Sequence, residues 1–141
     1  MRVNARKENC RMASDLVFTA GNVFVSATAG GTAVTTIKTG TPFFVEAPVT
    51  STDAEEFNEG KAYSLRVVVN DLSTLTNVLN TTIVGGQGDA NLPALVSTIT
   101  VPAGNAGITG SIYQIFAVML SGRNPVTVDF ALGSSLVVVV P

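Results

Sequence analysis

The chain has 141 residues, 46% of them hydrophobic and only 13% charged, with a formal net charge of −2 and a single cysteine. That is the length of one domain, with about half the usual ~25% share of charged residues, so Thr, Ser, Asn and Gly, or another protein, have to cover much of its surface. No apolar run approaches the ~20 residues that cross a bilayer, so no membrane role is expected; the lack of histidine removes Ser-His-Asp and Cys-His nucleophiles and every His-based zinc site.

Residues 1–15 read as an arm. Arg2, Arg6, Lys7 and Arg11 against Glu8 give the first eleven residues a charge of +3, while the rest of the chain carries −5. No apolar stretch follows these basic residues, so no secretory signal is expected. The run "MASDLVF" (12–18) has the look of a chain start, with residues 1–11 as an extension, and Cys10 reads as an incidental thiol. A basic arm on an acidic body suits a tail that reaches an acidic surface. Four basic residues without interleaved aromatics make too thin a footprint for direct nucleic-acid binding.

From residue 16 to 141 the pattern is short strands between Gly, Pro and Asn, predicting a β-sandwich domain. Leu16–Phe18 and Asn22–Thr28 come first, then Ala33–Lys38 and, after "GTP", Phe43–Ala47. An acidic loop, "DAEEFNEG" (53–60), precedes the strand "AYSLRVVVN" (62–70), whose Tyr63, Leu65, Val67 and Val69 share one face. "DLSTLTNVLN" (71–80) is the one segment with a helical pattern: Asp71 or Ser73 suits an N-cap, and Leu75, Val78 and Leu79 fall at i, i+3, i+4. The turn-rich "GGQGDAN" (85–91) reads as a mobile loop; Asn91 at the sixth position and Pro93 beyond it break the dinucleotide fingerprint.

Strands Ala94–Val101, Ser111–Leu120, Pro125–Leu132 and Ser135–Val140 close the chain. In "SIYQIFAVML" (111–120) both faces are apolar, which predicts a central strand covered twice. In "SLVVVV" neither face is polar, so that strand is expected either inside its own domain or against a neighbour's sheet, by pairing at a strand edge. Eight or nine short strands predict an all-β fold: a two-sheet, jelly-roll-like sandwich with a basic N-terminal arm.

No catalytic, metal or cofactor-binding residue is expected. Asp53, Glu55, Glu56 and Glu59 lack the spacing of a calcium loop, and Asn80-Thr81-Thr82 matches the glycosylation pattern by accident. Sugar platforms need exposed flat aromatics, yet there is no Trp, and Tyr63 and Tyr113 fall on faces that read as buried. The residues expected to touch a partner are Arg2, Arg6, Lys7 and Arg11 in the arm, Glu55, Glu56, Phe57 and Glu59 in the acidic segment, and Leu136, Val138 and Val140 in the last strand.

A short chain without His or Trp, rich in Val, Thr, Gly and Ala, with the arm "MRVNARKENCR" and the closing strand "LVVVV", resembles the small jelly-roll cement (decoration) proteins of tailed-phage heads. The resemblance is one of size and pattern over the whole chain and rests on no diagnostic motif. It implies a structural virion protein on the capsid exterior, made in the host cytoplasm. It also implies a homo-oligomer, a dimer first, that binds the major capsid protein and reinforces the shell. The competing expectation is a receptor- or carbohydrate-binding module of a tail or fibre.

Overall fold

The computed structural model describes residues 16–18, 23–52, 54–122 and 128–141. Its strands form two sheets that share one core. In sheet A, β4 (Pro42–Ser51) pairs antiparallel with β7 (Val96–Asn105) on one side, and with the short strands β1 (Leu16–Phe18) and β2 (Phe24–Ser26) on the other. Among the described residues Ala47 and Pro48 have no partner in β1 or β2, and a proline there gives no N–H to a ladder.

Sheet B has five strands in the order β3-β9-β8-β5-β6: β3 (Thr36–Lys38), β9 (Val128–Val140), β8 (Ile112–Gly122), β5 (Ala62–Asp71) and β6 (Thr76–Gly86). All its pairings are antiparallel except β3 with β9. A helical turn, α1 (Ala54–Asn58), links the sheets.

Strand alternation explains why the two sheets stack. On β5, Tyr63, Leu65, Val67 and Val69 point inward, and on β8, Tyr113, Ile115, Ala117 and Met119 do the same. They meet Phe43, Val45, Ala47 and Val49 of β4 and Ile99 and Val101 of β7, with Val137 and Val139 of β9 completing the layer. Phe43 and Tyr113 pack across the core with ring centroids 5.7 Å apart and planes tilted by 36°. The predicted two-sheet sandwich is therefore the fold of the chain.

Several local expectations are corrected. Residues 71–80 form a hairpin rather than a helix. The Asp71 carboxylate accepts hydrogen bonds from the N–H groups of Ser73 (2.9 Å) and Thr74 (3.4 Å), the same chemistry as an N-cap, but Leu75 then takes φ 56° and the chain returns as β6. The acidic segment, expected as a loop, holds α1. The strands expected at 125–132 and 135–140 are one where they are described, since β9 runs from Val128 unbroken through Gly133 and Ser134 in register with β8; residues 125–127 lie outside the described residues.

The loop at 85–92 is tied down rather than loose. Asp89 accepts hydrogen bonds from the N–H groups of Gly86, Asn91 and Leu92, and Leu92 is fully buried. A side chain at Gly85 would overlap the Asp89 carboxylate and the Tyr63 hydroxyl, so this position demands glycine.

Candidate interaction surface

β8 lies between β5 and β9, as a strand with two apolar faces should. Its inner face is sealed by sheet A, but its outer face is covered by no third layer among the described residues. Ile112, Phe116 and Leu120 stay 39%, 40% and 43% exposed, where Ile115 and Met119 of the same strand are fully buried. The expectation that β8 is covered twice is corrected: a two-layer sandwich has one interior.

β9 extends this face. It pairs with β8 on one side and β3 on the other, so over Thr36–Lys38 its backbone is closed to a neighbour's strand. The closing valines divide by alternation: Val137 and Val139 are in the core, while Leu136 and Val138 point out, 57% and 38% exposed. Register places Val138 beside Ile112 and Leu136 beside Gln114, which makes one continuous stripe with Phe116 and Leu120. Five such side chains offer on the order of 400 Å² of apolar surface, the size of the largest patch on a typical monomer and commonly a functional one.

Charge is nearly absent from this face. No charged residue occurs from Ala90 to Gly122 or from Phe130 to Pro141. Among the described residues Arg66 is the cation within this face, directly across from Val118 of β8. Arg66 of β5 donates from Nε to Asn80 Oδ1 at 3.1 Å, and Lys38 lies at the β3 corner in register with Val140. The half-buried Val118, across from Arg66, and Val68, across from Phe116, join the stripe to β5. Covering the stripe would yield on the order of 10 kcal/mol gross at ~25 cal/mol/Å², enough to offset much of the ~4–15 kcal/mol cost of association.

Three carboxylates of the body, Glu46, Asp71 and Asp89, are engaged in holding the fold. Glu46 is fully buried on the outer side of sheet A, where Gly30 N–H donates to it at 2.9 Å and Thr100 Oγ1 lies 2.7 and 2.9 Å from its two oxygens. It pins the 28–31 turn across that face. Burial pushes the Asp71 carboxyl up, but donation from the Ser111 hydroxyl and from Ser73 and Thr74 outweighs it and leaves the group below its ordinary value. Asp89 is likewise pushed up by burial and then held below its ordinary value by Gly86, Leu92, Asn91 and Tyr63. Burial first, and the Asp89 charge second, raise the Tyr63 phenol.

A buried polar chain joins the sheets at the same end. Ser51 Oγ donates to Gln87 Oε1 (2.9 Å), Gln87 Nε2 donates to Ser121 Oγ (3.1 Å), and Ser121 Oγ donates to the Ala62 carbonyl (2.9 Å). Every member has a partner, so the network stabilises one register of the two sheets instead of leaving polar groups stranded.

The residues expected to touch a partner are not brought together as one site. Arg2, Arg6, Lys7 and Arg11 lie outside the described residues. Glu55 is exposed on α1, the side chain of Glu56 is not described, and Glu59 is exposed just beyond the helix. Phe57 turns inward and packs half-buried against the core, over Gly88. Leu136 and Val138 do lie on the open face, with Val140 half-buried at its end. Ile112, Phe116 and Leu120 were missed as contact residues; their signal was the second apolar face of a strand whose first face already formed the core.

No protein-family model and no curated protein sequence matches the chain. Solved structures do. A protein assigned as a beta-galactosidase from Bacteroides fragilis superposes with a TM-score of 0.55 at 11% identity, over 86% of this chain and 17% of that one. A beta-glucuronidase from Bacteroides uniformis superposes with a TM-score of 0.52 at 11% identity, over 88% of this chain and 14% of that one. The chain thus spans less than a fifth of the length of these enzymes. At such identity the likeness establishes the β-sandwich and carries nothing about activity.

Proposed function

We propose that this protein is a non-catalytic docking module that works by laying the open face of sheet B on another protein. In the form its sequence resemblance suggests, it is a capsid cement protein seated on the outer surface of the major capsid protein. The observation that carries the reading is the uncharged apolar stripe of Ile112, Phe116, Leu120, Leu136 and Val138 on the outside of an otherwise complete sandwich. Each copy contributes a modest interface, and a shell binds many, so reinforcement comes from repetition. The sugar-binding alternative calls for a cluster of exposed aromatics. Among the described aromatic side chains Phe116 alone is exposed, and both tyrosines are buried.

The test is co-sedimentation of the full chain with expanded shells assembled from the major capsid protein of the same genome. The wild-type chain is expected to pellet with the shells, and the variant L120E/L136E to remain in the supernatant with its β-sheet circular dichroism unchanged. Undiminished binding by that variant would remove the face from the account. Failure of the wild type to bind would remove the capsid as partner.

A further inference from the structure

We propose that the free edge of β6 joins two copies of this chain, paired antiparallel about a two-fold axis near Thr82, so that two five-stranded sheets become one continuous sheet. Unpaired strand edges recruit other strands unless they are shortened, broken, charged or interrupted by proline. The other edges of this sandwich carry such devices. β3 is three residues long and ends in Lys38, and the length of β9 that it leaves unpaired carries Asp129 and lies against β1. β1 and β2 are two short pieces, and β7 holds Pro102 and a Gly104 at φ 84°.

β6 carries almost none. It has eleven residues without proline, and no charged residue occurs from Leu72 to Gly88. Its irregularity is confined to the ends. A register shift falls opposite Val69 and Asn70, where the Asn77 amide donates to the Leu79 carbonyl at 3.1 Å; at the far end the Asp89 carboxylate takes the N–H of Gly86. Between them, residues 80–85 pair only with β5 among the described residues, and Val84 is 71% exposed. That open stretch is about 20 Å long at ~3.3 Å per residue.

A second copy is the occupant that this edge fits. Antiparallel self-pairing of an uncharged strand sets no like charges opposite one another. With the axis near Thr82, each threonine faces its counterpart, and Val84 faces Asn80 of the second copy, pairings of the kind that stabilise sheets. A foreign strand would need charge or shape to fix its register, and β6 itself carries no charge, the Arg66 guanidinium behind it being turned to Asn80. Pairing about an axis normal to the sheet leaves both outer stripes on the same side. The dimer then presents a doubled docking face, which deepens the reading above, although the pairing itself does not depend on what that face binds.

The experiment measures the mass of the full chain by sedimentation at tens of micromolar and follows it with cysteine crosslinking in a C10S background. The wild type is expected to be a dimer and Thr82→Lys a folded monomer. C10S/T82C is expected to form a covalent dimer under mild oxidation, while C10S alone and C10S/T98C, on the β7 edge, do not. A wild type that is monomeric over this range overturns the proposal. So does a T82K variant that stays dimeric, or a T82C variant that crosslinks no faster than T98C; the crosslinking decides alone where T82K fails to fold.

Discussion

The two faces of sheet B are built from the same kinds of residue and meet different fates. Inward, Ile115, Met119, Val137 and Val139 are sealed against sheet A; outward, on the same strands, Ile112, Phe116, Leu120, Leu136 and Val138 remain more than a third exposed. Hydrophobicity alone therefore does not mark a core. What decides is whether a second layer exists on that side, and among the described residues only one side has it. The outer side of sheet A makes the contrast sharper. There Glu46, held by Gly30 and Thr100, draws the 28–31 turn over the strands, and polar chemistry from its own chain covers that part of the face, while Val96 at its far end stays exposed.

Substitution on the inner face is the strongest way to break this comparison. Ile115→Ala removes fully buried methyl groups and is expected to cost about 2–5 kcal/mol, read by urea denaturation. Gln87→Leu attacks the polar link between the sheets. It leaves the buried Ser51 hydroxyl without its acceptor, takes a donor from Ser121, which keeps its bond to the Ala62 carbonyl, and is expected to cost about 1–3 kcal/mol in the same assay. A variant as stable as wild type would show that the link is not needed.

The pH dependence follows from three groups. The folded values of Asp71 and Asp89 lie below the ordinary carboxylate value, so their contribution is complete above about pH 4 and is lost as pH falls through the lowered values. The Tyr63 phenol is raised, so its contribution holds below about pH 10 and is lost as pH climbs through the raised value. Urea midpoints across pH should form a plateau that falls at both extremes, and Asp89→Asn should reduce the acid-side fall. The smallest expected effect is Phe116→Ser on the outer face, within about 0.5–1 kcal/mol of wild type. A cost as large as that of Ile115→Ala would mean that the stripe is covered by the chain itself.

Much of the fold was legible because alternation states which residues share a face. Tyr63 to Val69 on β5 and the two faces of β8 were readable residue by residue. β6 was not, because Asp71 with Leu75, Val78 and Leu79 imitates the start of a helix; only the left-handed Leu75 and the ladder with β5 distinguish the hairpin. The site was legible in part. Leu136 and Val138 stood out as apolar residues in excess of any single face. Ile112, Phe116 and Leu120 did not, since a strand pattern shows two apolar faces without showing which one the second sheet will take.

The central claim, that the outer stripe of sheet B is a docking face, is tested most directly by carbene footprinting of the full chain alone and bound to capsid shells. Phe116, Leu120 and Leu136 should label strongly in the free protein and lose that label on the shells, with Ile115 and Met119 unlabelled in both. Equal labelling of the stripe in the two states, or a stripe already protected in the free chain, would contradict it.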